Sequence, residues 1–240
     1  MSQPDSTILA FDTSAAHCAA ALLMGDKIVS QRFEEMKKGQ AERLFPMLEE
    51  VLGEVGAVWE ELDAVGVGVG PGNFTGIRIA VSAARGLALS LEIPAIGVSG
   101  FEALRGERYR SDPAPMIVSL PATRRGADAV LQYFADATAV GSPVELAMFG
   151  KDVIDKSFER YPQTAHVLGH EAAAVNYAVQ LDKGEYTYLE FGPAYPQAEQ
   201  IARLAAHRLV SGKSFPRPAP FYIRPPDAAP SADPPPVILP

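Results

Sequence analysis

Residues 64–91, AVGVGVGPGNFTGIRIAVSAARGLALSL, constrain the fold of this chain more than any other stretch. AVGVGVG reads as a buried strand, Pro71-Gly72 as a turn, and residues 75 to 91 as one long helix. On that helix Ile77, Ala80, Val81, Ala84 and Ala88 line one side. Ile79, Ala83, Leu87 and Leu91 line another, and only Arg78 and Arg85 carry charge. A helix apolar nearly all round must be covered on more than one side. A sheet covers one side, which leaves the other for a neighbouring helix or another protein. The helix expected over 40–54 has the same surplus: Phe45, Leu48 and Leu52 make a stripe with Leu44, Met47 and Val51 beside it. The expected docking face therefore comprises Leu44, Met47, Leu48, Val51, Phe74, Ile77, Arg78, Val81 and Ala84. The competing reading is that the two helices cover only each other and their sheet.

Around this unit, TILAFDTS reads as a strand ending at Asp12, and residues 19–24 and 27–33 as two more strands about Gly25-Asp26. Pro46 is expected near the first turn of the 40–54 helix, where its missing donor costs little. Residues 93–99, IPAIGVS, make a further strand. A three-stranded meander followed by alternating helix and strand predicts an α/β fold, a mixed sheet covered by helices, of the ribonuclease-H-like kind. In the second half, residues 115–120 and 129–134 and AHVLGH read as strands, and AEQIARLAAHRLVSG as a helix ended by Gly212. Ten of the 21 prolines fall in residues 213–240, which predicts an extended tail. FYIR at 221–224 is expected to tether that tail, with disorder from Pro225 onward. The expected organisation is an N-terminal lobe over 1–105, a smaller lobe over 106–215 and a Pro-rich tail over 216–240.

Two constellations invite chemistry. Gly66 to Gly76 joins a strand to a helix N-terminus through glycines, a geometry that offers N–H groups to an anion. Asp12-Thr13-Ser14 ends a strand, where a carboxylate and two hydroxyls position a metal-bound phosphate in sugar kinases and actin. Together Asp12, Thr13, Ser14, Gly70, Gly72, Asn73 and Thr75 form a candidate phosphate-holding loop. The alternative is a tight joint in which Asn73 or Thr75 caps the helix. Neither GxGxxG nor GxxxxGK[ST] fits the spacing. His166 and His170 stand four apart, but Gly169 between them breaks a helix, so no metal pair is expected. There is no GxSxG elbow for a serine nucleophile, so a peptidase has no defensible nucleophile–base pair. A formal charge of −8 argues against a basic nucleic-acid coat. The local groups Arg105, Arg108 and Arg110, or Arg124-Arg125, are at most minor RNA contacts. With one cysteine, Cys18, and no signal peptide or membrane span expected, the expected compartment is the cytoplasm.

ILAFDTS at 8–14, GVGPGNFTGIRIAVSAARGLA at 68–88, IGVSGFEAL at 96–104 and FYIRPPDA at 221–228 together resemble the TsaB (YeaZ-like) family. The resemblance is strong over about residues 6–105 and thin over 106–215. It implies an actin/Hsp70-like (ASKHA) fold of two ribonuclease-H-like lobes. It also implies a non-catalytic subunit of the tRNA N6-threonylcarbamoyladenosine machinery, whose two-helix face binds and activates the TsaD transferase. That paralogue binds metal through an HxxxH after the strand equivalent to IGVS. The matching positions here are Gly100 and Leu104, which implies no catalytic or metal residue in this chain. The family further implies self-association through the same face, a TsaE-type ATPase in the larger complex, tRNA contact only indirectly, and ADP or ATP only at the TsaD junction. Where many relatives carry Asp-Ala-Arg, this chain has Pro121-Ala122-Thr123-Arg124-Arg125-Gly126. The competing function is an ATP-dependent enzyme using Asp12 and the 70–76 loop.

Overall fold

Strand β1 (Thr7–Asp12) is the centre of the architecture, because nearly all its side chains are buried on both faces. The structure, a computed structural model, describes residues 6–106, 115–123, 127–135, 138–146, 166–175, 188–190, 196–211 and 216–223. Strand β2 (His17–Met24) pairs antiparallel with β1, and β3 (Lys27–Glu35) antiparallel with β2. The reversal between β2 and β3 falls at Gly25, whose φ of 61° suits a residue without Cβ. Strand β4 (Ala64–Gly68) pairs parallel with β1 on its other side, and β5 (Ala95–Val98) parallel with β4. The sheet order is β3-β2-β1-β4-β5. Helix α1 (Gln40–Gly53) connects β3 to β4, α2 (Phe74–Leu91) connects β4 to β5, and α3 (Gly100–Arg105) follows β5.

A second sheet repeats this plan. Strands β6 (Met116–Pro121), β7 (Ala129–Ala135) and β8 (Thr138–Leu146) form an antiparallel meander. Strands β9 (His166–Gly169) and β10 (Tyr188–Glu190) extend it in parallel on the far side of β6. Read from β8, the order β8-β7-β6-β9-β10 is that of the first sheet. The last helix is α4 (Ala198–Val210).

The period of two along each central strand sorts the core into layers. Leu9, Phe11, Val65 and Val67 face α1 and α2. Ile8, Ala10, Ala64, Ile96 and Val98 face the opposite way, onto Ile201, Ala202 and Ala205 of α4. Gly66 of β4 serves that second contact: a Cβ on it would lie 3.1 Å from the Cβ atoms of both Ala10 and Ala205. Cys18 sits in the first core, where burial pushes its thiol up to about 12. It acts there as a small apolar filler.

The lobes differ from the expected division. Helix α4 covers the first sheet, so the N-terminal lobe is completed by residues from the expected second lobe. Phe101 and Leu104 of α3 pack conversely with Met116, Val118 and Leu120 of the second sheet. Pro46 lies in the second turn of α1, because the helix begins at Gln40; its exposed position leaves the unpaired carbonyl of that turn to solvent. Strand β8, with Gly141 and Pro143 inside it, was not anticipated. The tail does pack down: Phe221 N–H donates to Val69 O at 2.7 Å, beyond the end of β4. Gly212, Arg108, Arg110, Arg124, Arg125 and everything from Arg224 onward lie outside the described residues.

Candidate functional site

The DTS and glycine loops meet, but as a closed joint. Asp12, at the end of β1, is buried, and its Oδ1 accepts from Ser14 N–H at 2.9 Å and Ser14 Oγ–H at 2.8 Å. His17 Nε2 approaches the same oxygen at 2.8 Å, and its ring stacks on Phe33. The other carboxylate oxygen, Oδ2, has no hydrogen-bond partner and is roofed by Gly68, on which a Cβ would lie only 1.7 Å away. Thr13 Oγ1 donates to Gly76 O at 2.7 Å, and Asn73 N–H donates to Ser14 O at 2.5 Å. The two loops are thus laced by one side-chain and one backbone bond.

The anion-holding reading of this loop is corrected by where its donors go. Asn73 is the N-cap of α2, and its Oδ1 accepts from the N–H groups of Thr75 and Gly76 at 3.0 and 3.1 Å. These are donors an anion at the helix N-terminus would need. Gly70 O accepts from Gly100 N–H at 2.8 Å, tying the loop to α3 as well. The glycines serve close approach: a Cβ on Gly72 would lie 2.1 Å from Ser14 O, and one on Gly76 1.9 Å from Thr13 O. Gly76→Ala is therefore expected to destabilise by about 3 kcal/mol or more, since main chain must move to admit the methyl. Gly86, on the same helix, has nothing within 4 Å of its missing Cβ. Gly86→Ala is expected to stabilise by about 0.5–1 kcal/mol. Calorimetric melting of the two variants checks both signs, and equal shifts would refute the joint.

The expected docking face is also redistributed. Leu44, Met47, Leu48, Val51, Ile77, Val81 and Ala84 are buried in this chain's own core, because they point at the sheet. Only Phe74 and Arg78 of that set reach the surface. The apolar surface of the two helices consists instead of Phe45 (44% exposed), Phe74 (37%) and Leu89 (79%). Ile79, Ala83 and Leu87 are half-buried, packed against the edge of the core. Arg43 braces α1 against β3, donating to Glu34 Oε1 at 2.5 Å and Glu50 Oε2 at 2.7 Å. Its guanidinium holds both carboxyls below their usual range.

Several features were not legible beforehand. Arg105 is buried with its guanidinium 5.2 Å from the Phe134 ring, so it forms no surface basic patch. Gly100 is closely packed: a Cβ there would press on Leu120 Cδ1 and Pro196 Cγ, both at 3.1 Å. Leu104 is packed into the second-sheet core. His166 begins β9 and His170 follows in a turn, so they share no helix face. A cavity of about 550 Å³ lies between Val69, Gly97, Arg208, Pro218 and Phe221. Three polar residues of its wall bond to one another: Glu102 accepts from Ser99 N–H and Oγ–H and from Arg208. FYIR was flagged as a tether, but nothing local placed Tyr222 against Phe74 and Arg78, where its ring stacks 5.1 Å from the Phe74 ring.

A family model described as TsaD, tRNA N6-adenosine threonylcarbamoyltransferase, matches residues 27–133. The tRNA threonylcarbamoyladenosine biosynthesis protein TsaB of Escherichia coli is 33% identical over 133 residues, covering 55% of this chain and 57% of that protein. The chain spans about half the length of the curated relatives it matches. YeaZ from Pseudomonas aeruginosa superposes with a TM-score of 0.67 at 26% identity, over 90% of this chain and 99% of that one. The ROK hexokinase of Thermus thermophilus superposes with a TM-score of 0.53 at 13% identity, over 85% and 99%, a likeness of fold alone. The duplicated sheet plan and these superpositions make the architecture an actin/Hsp70-like (ASKHA) fold of two ribonuclease-H-like lobes. Local sequence match and superposition over 90% of the chain agree in likening it to TsaB (YeaZ) proteins.

Proposed function

We propose that this chain serves tRNA N6-threonylcarbamoyladenosine modification as a non-catalytic subunit, holding a TsaD-type transferase on the outer side of α1 and α2. The observation that carries the reading is the exposed apolar surface of Phe45, Phe74 and Leu89 on two helices whose other sides are buried. Exposed large apolar groups favour a protein partner, aromatic residues most of all. The packing of Gly100 and Leu104 supports a subunit without the paralogue's metal chemistry, since both positions are filled by apolar contacts. An independent ATP-dependent enzyme fits less well, because Asp12 is buried and the first-turn donors of α2 are capped. In this proposal the chain self-associates through the same face when alone and meets a TsaE-type ATPase and tRNA only within the larger assembly. ADP or ATP binds only at the junction with the transferase, and the whole operates in the cytoplasm. Light scattering on eluting protein tests the docking claim. A mixed species of this chain with its TsaD-type partner is expected in place of the species formed alone, and persistence of separate peaks at micromolar concentration overturns it.

A further inference from the structure

Arg78 is an exposed cation that this chain assembles but does not neutralise. Its guanidinium carbon lies 3.7 Å from the centre of the Phe74 ring, and its Nε donates to Tyr222 Oη at 3.0 Å. The Phe74 and Tyr222 rings stack beside it. Tyr222 arrives from 144 residues away along the chain, on the tail segment that Arg85 Nε holds through Pro218 O at 2.6 Å. Four other described arginines end on carboxylates of this chain, Arg32 on Glu54, Arg43 on Glu34 and Glu50, Arg203 on Glu199, and Arg208 on Glu102, whereas Arg85 ends on a backbone carbonyl. Among the described residues Arg78 has no such partner, although the chain carries eight more acidic than basic side chains. It also stands just inside the N-terminal end of α2, whose first turn holds no acid. A cation there adds to the positive end of the helix dipole, a local cost that an incoming anion removes.

We infer that Arg78, held between Phe74 and Tyr222, is the specificity anchor of the docking face and receives a carboxylate side chain of the partner subunit. The inference rests on the docking reading above. Stacking on Phe74 and the Nε bond fix the plane of the guanidinium while leaving its two terminal nitrogens, the fork that matches a carboxylate. Fixing that geometry before binding reduces the ordering cost at the interface. Arginine between aromatic residues is also the composition of an interface hot spot. A protein carboxylate is favoured over nucleic acid because Phe74 flanks the cation and the chain as a whole is acidic.

Calorimetric titration of the full chain with its TsaD-type partner, at low and high salt, tests this. Arg78→Glu is expected to weaken the complex about thirtyfold or more and to flatten its salt dependence. Arg78→Lys is expected to weaken it about tenfold, since the charge remains but the fork is lost. Tyr222→Phe, which keeps the ring and removes only the hydroxyl, is expected to weaken it severalfold by freeing the guanidinium plane. Unchanged melting of Arg78→Lys and Tyr222→Phe separates these effects from misfolding. Wild-type affinity for all three variants, with the complex still lost in Phe45→Glu, overturns the anchor and leaves the docking reading standing. Wild-type affinity for Phe45→Glu as well overturns the docking reading itself. Should Arg78→Glu spare the protein complex and instead reduce binding of unmodified tRNA to it, the carboxylate assignment is wrong.

Discussion

Leu48→Glu is expected to abolish the cooperative melting transition of this protein. Leu48 is fully buried against the sheet, in the cluster that holds Leu9, Phe11, Val65 and Val67. A carboxylate there has no described cation within the cluster to pair with and loses the contacts of the leucine. The combined cost exceeds about 4 kcal/mol, against a total stability for a domain of about 5–15 kcal/mol. Circular dichroism on heating is the direct check. A sharp transition near that of the unaltered chain would mean that Leu48 lies at the surface and that α1 has been assigned the wrong face.

Three residues earlier on the same helix, Phe45→Glu is expected to have the opposite profile. Phe45 is 44% exposed, so the substitution removes little buried area and the melting temperature should move only slightly. Placed in an interface, the new carboxylate must be desolvated in an apolar patch that already borders Glu42 and Glu49 on the helix surface. Its complex with a TsaD-type transferase is expected to weaken by about a hundredfold, the scale of a strong interface hot spot. Titration calorimetry beside the elution experiment measures it. An affinity equal to that of the unaltered chain would remove the two-helix face from the function altogether. The two variants form a pair in which one destroys the fold and the other only the assembly.

That contrast marks where sequence reasoning stopped. The helix over 74–91 was legible, because apolar residues recur at helical spacing and Asn73 provides its cap. Which apolar stripe faces the sheet was not, since Ile77, Ala80 and Ala84 look no different in sequence from Ile79, Ala83 and Leu87. The stripe expected to meet a partner proved to be the one in the core. Asp12, Thr13 and Ser14, expected with the glycine loop to hold a phosphate, meet that loop in a closed joint. The role of those glycines became visible only through distances, with Gly76 against Thr13 O and Gly72 against Ser14 O. The meander β1-β2-β3 was readable from local alternation and the Gly25 turn. Strand β8 was hidden by Gly141 and Pro143, and the allegiance of α4 by the long separation in sequence between Gly66 and Ala205. Contacts between residues so distant in the chain leave no periodic trace.

The return of α4 to the first sheet has a bearing on how the protein is made. As the polypeptide leaves the ribosome, the sheet formed by residues 7–98 emerges with Ile8, Ala10, Ile96 and Val98 bare on one side. Their cover, Ile201 to Ala205, is translated only after the entire second sheet. The first sheet must therefore wait, half-clothed, until residues 198–210 have emerged. A nascent chain halted short of residue 198 is expected to lose its first sheet quickly to added protease, whereas a chain carried past α4 resists there.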